Sequence, residues 1–196
     1  MTQLIVCEKP SAMKKIAEAL AEKNLRKKII NKISYYELTH DNKKIIVASA
    51  VGHLFGLKAK EKGWSYPNFS YEWVPAYMIS KKADFTKKYL DVLNELVKES
   101  NEFINSCDLD IEGETIFNLI LEKVIKKKDA KRMKFSTMMK EDLIKAYENT
   151  SPHIDFGLAK AGRTRHTLDW LWGINLSRAL TLSIKEAGSF KIMSIG

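Results

Sequence analysis

Two cysteines, Cys7 and Cys107, are all the thiols this chain has. That is too few for a disulfide framework or a zinc ribbon, so no zinc is expected here. Each precedes an acidic residue at the end of a strand-like run, and both read as reduced core thiols. No apolar run approaches the roughly 18 residues a membrane span needs, and no charged-then-apolar leader opens the chain. The expectation is a chain with no membrane partner, located in the cytoplasm. Repeats and low-complexity tracts are also missing, which excludes solenoids and disordered linkers. Gln3 is the only glutamine, and Lys and Glu are plentiful, a thermophilic leaning that the many asparagines weaken.

What is present is a core and a charge imbalance. At 196 residues and 45% hydrophobic, the chain holds one domain, or one domain with part of a second. Its formal net charge of +9 and pI near 9.4 point to a polyanionic partner.

Against that basic background stands Asp108-Leu109-Asp110-Ile111-Glu112-Gly113-Glu114. Strand-like Glu102 to Cys107 precedes it, and Ile116, Phe117, Leu119, Ile120 and Val124 follow at helical spacing. In extended chain, residues i and i+2 share a face, so Asp108 and Asp110 converge and Glu112 joins them as the chain turns. Carboxylates so crowded favour a cation between them. Two other readings exist. Acids in a first helical turn complement the helix dipole without any metal. An EF-hand loop would need a bidentate Glu at its twelfth position, which here is Leu119, so that reading fails. An acidic metal site inside a basic chain suggests Mg²⁺, which commonly takes ligands from phosphates, with Mn²⁺ as an alternative.

Leu4 to Cys7 reads as a buried strand ending at Glu8-Lys9-Pro10-Ser11. A helix follows, with Ser11 as N-cap, Met13, Ile16, Ala17 and Leu20 on one face, and a basic far end at Lys23, Arg26, Lys27 and Lys28. Tyr35 to Thr39 and Lys44 to Ser49 form a hairpin through Asp41-Asn42. Lys58 to Ala76 reads as a loop whose Trp64, Tyr66, Phe69, Tyr71 and Trp73 make a local core, with base stacking as the alternative. Helices are expected over Ala83 to Glu99 and Lys140 to Asn149, and a strand over Arg132 to Ser136. Lys126-Lys127-Lys128 and Lys131-Arg132 read as a solvated basic connector. Strands alternating with helices predict an α/β domain with a largely parallel sheet, its site at the strands' carboxyl ends. Ser151-Pro152 marks a boundary between residues 1–150 and 151–196; beyond it a helix is expected from Asp155 to Lys185, stopped by Gly188 and followed by an extended segment.

Five stretches, in order, resemble the amino-terminal part of a type IA DNA topoisomerase, most closely the topoisomerase III branch and its archaeal relatives. They are Glu8-Lys9-Pro10-Ser11, Val51-Gly52-His53-Leu54, the acidic string, Asp169 to Arg178, and Met193 to Gly196. The resemblance implies a Toprim domain in residues 1–150 and the helical start of a DNA-binding domain in 151–196. It implies single-strand cleavage through a 5′-phosphotyrosyl link, strand passage and resealing without ATP. Glu8 would serve as acid/base or metal-facing group, Lys9 would hold the scissile phosphate, and Asp108, Asp110 and Glu112 would bind Mg²⁺. Arg163, Arg165, Asn175, Ser177 and Arg178 would contact single-stranded DNA. His53 is expected to be a hydrogen-bonded structural residue.

Two features depart from that family. Ile111 stands where an Arg is usual, so a basic contact beside the metal site is expected to be missing. None of the seven tyrosines sits in a context resembling the family's nucleophile. The chain is therefore expected to be an inactive, monomeric amino-terminal fragment whose partners are DNA and the remaining domains of its polypeptide. Met1 directly before the first strand argues against an origin in reverse gyrase. A Toprim nuclease or primase, or a non-catalytic nucleic-acid-binding module, are the alternatives.

Overall fold

The computed structural model describes residues 1–188 and 192–195. Its centre is a six-stranded sheet built from β1 (Thr2–Cys7), β2 (Lys23–Ile30), β3 (Ile33–His40), β4 (Lys43–Ser49), β7 (Glu102–Asn105) and β8 (Lys131–Arg132), in the order β2-β3-β4-β1-β7-β8. Strands β4, β1, β7 and β8 pair in parallel, while β3 runs antiparallel to both β4 and β2. The largely parallel α/β sheet expected from the sequence is present, with an antiparallel hairpin at one edge. β5 (Phe55–Ala59) and β6 (Tyr71–Pro75) form a separate two-stranded ribbon.

Both faces of the sheet are covered, which is why the central strands are apolar throughout. Successive side chains of β1 alternate between two cores. Leu4 and Val6 pack with α2 (Phe85–Lys98) and α3 (Ile111–Ile120) residues such as Leu93, Leu96, Phe117 and Ile120. Ile5 and Cys7 pack with α1 (Pro10–Leu20) and α4 (Lys140–Glu148) residues such as Ile16, Leu20 and Leu143. Each such side chain, fully buried, contributes about 1.5–3 kcal/mol.

Several local expectations need correction. Lys9, not Ser11, is the N-cap of α1, and Pro10 occupies the first turn, where its missing N–H costs nothing. The basic segment after α1 is not a helix end but strand β2, whose residues are almost all exposed. An edge strand of lysines carries no burial pattern to read, and its charges discourage edge-to-edge pairing. Two tight turns flank β3: Asn31 and Lys32 both have positive φ, as do Asp41 and Asn42, the geometry that suits hairpin twist. The loop expected over Lys58 to Ala76 holds β5's end and β6, and Trp64, Tyr66 and Phe69 are exposed rather than a local core. Of the strand expected over Arg132 to Ser136 only Arg132 is strand, as the second residue of β8.

The long helix α5 spans Phe156–Glu186, with Asp155 capping it through Leu158 N at 2.9 Å. It lies against α3 at Gly162. A Cβ there would stand 2.0 Å from Thr115 Oγ1 and 2.5 Å from the Ile111 carbonyl oxygen, so only glycine permits this approach. Gly188, at φ +84, follows the helix end. The extended segment expected last is described only over residues 192–195; Gly196, part of the last matching stretch, lies outside the described residues.

Candidate functional site

Because β1 and β7 are parallel neighbours, their carboxyl ends open on the same edge of the sheet. Lys9, just past β1, reaches across to Asp108, just past β7, with Nζ 2.6 Å from Oδ2. Its ammonium also lies 3.6 Å from Glu8 Oε1. The hydrogen bond to Asp108 and the charge of Glu8 raise the lysine's pKa above its ordinary value. Burial, then the neighbouring Asp108 and Asp110 charges, push the Glu8 carboxyl above the usual range despite Lys9. The edge thus holds more negative charge than Lys9 neutralises.

Asp110 takes the role that a helix-start reading would give it. Its side chain accepts from Gly113 N at 2.7 Å and caps α3. Gly113 is required by closeness: a Cβ would meet the Asp108 carbonyl oxygen at 2.2 Å. The Gly in the acidic string therefore lets the first turn of α3 fold back onto the strand end that carries Asp108.

Glu112 faces a different set of groups. His53 Nε2 lies 2.9 Å and His166 Nε2 2.7 Å from its Oε2, while Arg165 Nη1 donates to Oε1 at 3.0 Å. Burial raises the Glu112 carboxyl, but the hydrogen bonds and charges of His166 and His53 outweigh it and hold the pKa below the ordinary value. Burial and the adjacent His166 lower that of His53, outweighing Glu112. His53 is positioned by backbone strain. Val51 sits at φ +57, a conformation costly for a β-branched residue, and its N–H donates to the Glu8 carbonyl oxygen at 2.7 Å. Gly52 follows at φ +84. His53 is hydrogen-bonded, as expected, and it belongs to the site itself.

The four acids do not form one compact ligand set. Among the described residues, two groups of potential ligand atoms lie mutually within 4.8 Å: His53–Glu112–His166 and Glu22–His40–Asp41. Lys9 contacts Glu8 and Asp108, Asp110 caps α3, and Glu112 faces the histidines. Ile111 offers no basic contact here, and the basic group that meets Glu112 is Arg165 of α5. His166 was not singled out in the sequence; a lone histidine on a long helix gives no signal of its own.

The other α5 residues singled out from sequence lie apart from this edge. Arg163 Nη1 donates to Asn118 Oδ1 at 3.0 Å and Glu122 Oε2 at 2.6 Å, fastening α5 to α3 and its continuation. Asn175 exchanges hydrogen bonds with the backbone of Asn68, and Arg178, largely buried, donates to the Ser65 carbonyl oxygen at 2.7 Å. Ser177 Oγ accepts from Ile195 N. These three hold the loop before β6 and the segment at 192–195 against α5.

One buried pair escaped sequence reading altogether. Arg132, read as part of a solvated connector, is completely buried, with Nε 2.5 Å from Glu114 Oε1. Its remaining N–H groups donate to the carbonyl oxygens of Asn105, Cys107, Asp108 and Met133. Asn105 Nδ2 donates to the other Glu114 oxygen at 2.9 Å. Burial pushes the Glu114 carboxyl up, and Arg132 pulls it back. The guanidinium ties the end of β7 to α3 from beneath the acidic site. The neighbouring Lys126, Lys127 and Lys128 are exposed, as expected.

Comparison with known proteins agrees with this architecture. Over 196 residues the chain is 50% identical to DNA topoisomerase 1 of Pyrococcus furiosus, covering 98% of this chain and 18% of that protein. It is 49% identical to DNA topoisomerase 1 of Methanocaldococcus jannaschii, covering 100% of this chain and 26% of that one. Identity to DNA topoisomerase 3 of Staphylococcus haemolyticus is 32%, over 92% of this chain and 25% of the other. The chain thus spans about a fifth to a quarter of the relatives it matches. Full-length topoisomerase I from Thermotoga maritima superposes with a TM-score of 0.59 at 20% identity, over 91% of this chain and 26% of that one, and shows the same fold. The model of the Toprim domain matches residues 3–138, which take in β1, the sheet, Glu8 and the whole acidic string. With the matched segment covering most of the chain and its sheet edge built as described, the chain belongs to the Toprim family.

Proposed function

We propose that this chain acts as the amino-terminal portion of a type IA DNA topoisomerase, supplying the acidic half of an active centre whose tyrosine nucleophile lies outside these 196 residues. The observation that carries the reading is Lys9 meeting Asp108 and Glu8 across adjacent strand ends. A cation poised among carboxylates at a sheet edge suits a phosphodiester, which needs positive charge at its oxygens and an acid/base group beside them. The names of the relatives, DNA topoisomerase 1 and DNA topoisomerase 3, support the same reading.

In this scheme the tyrosine oxygen attacks phosphorus, a 5′-phosphotyrosyl bond forms, and a 3′-hydroxyl leaves; resealing reverses the exchange without ATP. Lys9 holds the phosphate. Glu8 exchanges the proton of the 3′-hydroxyl, a role its raised pKa favours. Glu8, Asp108, Asp110 and Glu112 offer the hard oxygen donors that Mg²⁺ or Mn²⁺ takes, and the negative charge around Glu8 supports that assignment. When bound, the ion supplies positive charge that keeps the broken ends in place. Residues 151–196 form the start of the DNA-binding domain, with Arg163, Arg165, Asn175, Ser177 and Arg178 along the strand's path. The working form is a cytoplasmic monomer.

The test uses the 196-residue chain directly. It is expected to bind single-stranded DNA weakly and with steep salt dependence, measured by fluorescence anisotropy, without cutting it. Mg²⁺ is expected to raise its melting temperature, and that of an Asp110→Asn variant much less. Mg²⁺-dependent cleavage abolished by Asp108→Ala would replace this reading with a Toprim nuclease or primase. Binding of DNA with no response to Mg²⁺ would leave a non-catalytic nucleic-acid-binding module.

A further inference from the structure

The expectation of no zinc rested on thiols, and thiols are only one class of ligand. His53, Glu112 and His166 come from three separate parts of the chain: the strained turn after β4, the first turn of α3, and the third turn of α5. Their ligand atoms nevertheless lie within 4.8 Å of one another. Both imidazoles present Nε2 to the same carboxylate oxygen, at 2.9 and 2.7 Å. The rings meet edge to face, 4.7 Å between centroids. All three residues are half-buried, which leaves an open side for water or another ligand.

We propose that His53, Glu112 and His166 form a second divalent-cation site, selective for a borderline-soft transition ion such as Zn²⁺ or Co²⁺. Two imidazole nitrogens and one carboxylate are a three-protein-ligand set that such ions take with a fourth position open, whereas Mg²⁺ prefers all-oxygen surroundings. Ligands about 2.0–2.1 Å from a tetrahedral ion stand roughly 3.3 Å apart, so the trio must open by only about half an ångström. Arg165 Nη1 on the other Glu112 oxygen, at 3.0 Å, fixes the carboxylate's orientation. Bound there, the ion fastens α5 to the Toprim sheet and keeps Glu112 apart from the acids that meet Lys9. The site goes beyond the proposed strand-breakage role and needs neither DNA nor Mg²⁺.

The experiment titrates the intact chain with Co²⁺ or Zn²⁺ alone. One equivalent of Co²⁺ should give the visible absorption of a tetrahedral nitrogen–oxygen site. Among the four histidines, the NMR imidazole signals of two, assigned to His53 and His166, should shift on Zn²⁺ binding. A variant carrying His53→Gln and His166→Gln should bind at least about 100-fold more weakly, whereas Asp108→Asn should keep the Co²⁺ band while losing any Mg²⁺ response. If the double variant does not fold, the wild-type NMR shifts decide the matter alone. Absence of the band at saturating Co²⁺, or shifts confined to His40 of the Glu22–His40–Asp41 group, would overturn the proposal.

Discussion

Arg132 and Glu114 meet at 2.5 Å with neither side chain reaching solvent, directly beneath the edge that holds Asp108. Arg132 also satisfies four backbone carbonyl oxygens, including that of Asp108 itself. Truncating it strands Glu114 as a lone buried acid and leaves those carbonyls without donors. Arg132→Ala is therefore expected to destabilise the fold by about 3–5 kcal/mol in urea unfolding. The double change Arg132→Met with Glu114→Leu should cost clearly less, because no charge is left behind. Equal losses in both would show that the carbonyl contacts, not the pair, dominate.

Asp110 has two separable tasks. Asp110→Ala removes the cap on Gly113 N and should cost about 1 kcal/mol without metal, whereas Asp110→Asn keeps an oxygen acceptor and should cost little. Comparing their denaturation midpoints isolates the cap from the carboxylate's charge.

Glu8 gives a pH signature of definite sign. Its folded pKa lies above the ordinary 4.5, so the folded state holds the proton more tightly than the unfolded chain. The stability this contributes is full below 4.5 and is lost as pH rises through the folded value. At neutral pH the ionised carboxylate is therefore a burden on the metal-free protein. Glu8→Gln is expected to melt higher than wild type at pH 7, with the difference shrinking as pH falls through the folded pKa and gone below 4.5. A variant that melts lower at pH 7 would contradict the crowding of negative charge at this edge.

Gly162→Ala probes the contact between α3 and α5. The added methyl has no room against Thr115 Oγ1 and the Ile111 carbonyl oxygen, so a loss of roughly 1–3 kcal/mol is expected. Hydrogen exchange should quicken first in the early turns of α5. Unchanged exchange there would mean that the two helices separate without disturbing either.

How far the sequence could be read depended on whether a residue's surroundings were local. The continuous apolar run of Leu4 to Cys7, the turn residues Asp41-Asn42 and the extent of α5 are short-range signals, and the structure matches them. That the strand ends carrying Glu8 and Asp108 share one edge followed from a topological rule about parallel strands, though the Lys9–Asp108 contact itself did not. Arg132 failed because nothing nearby distinguishes a buried arginine from the exposed lysines before it; its partner is 18 residues away, in α3. His166 failed for the same reason, being 54 residues from Glu112. Strand β2 was missed because an edge rich in lysine has no apolar face to betray it.

The long helix has one more consequence. Its attachments to α3 and to Glu112, at Gly162, Arg163, Arg165 and His166, fall within its first eleven residues, while farther along Asn175, Ser177 and Arg178 hold the loop before β6 and the segment at 192–195. The remaining twenty residues extend roughly 30 Å at 1.5 Å per residue. A short fulcrum with a long arm multiplies displacement: a tilt of about five degrees at the Glu112 end moves the far tip by roughly 2.6 Å over that length. The geometry thereby links the place of Glu112 to that of the distant end of α5, with the glycine contact as the pivot.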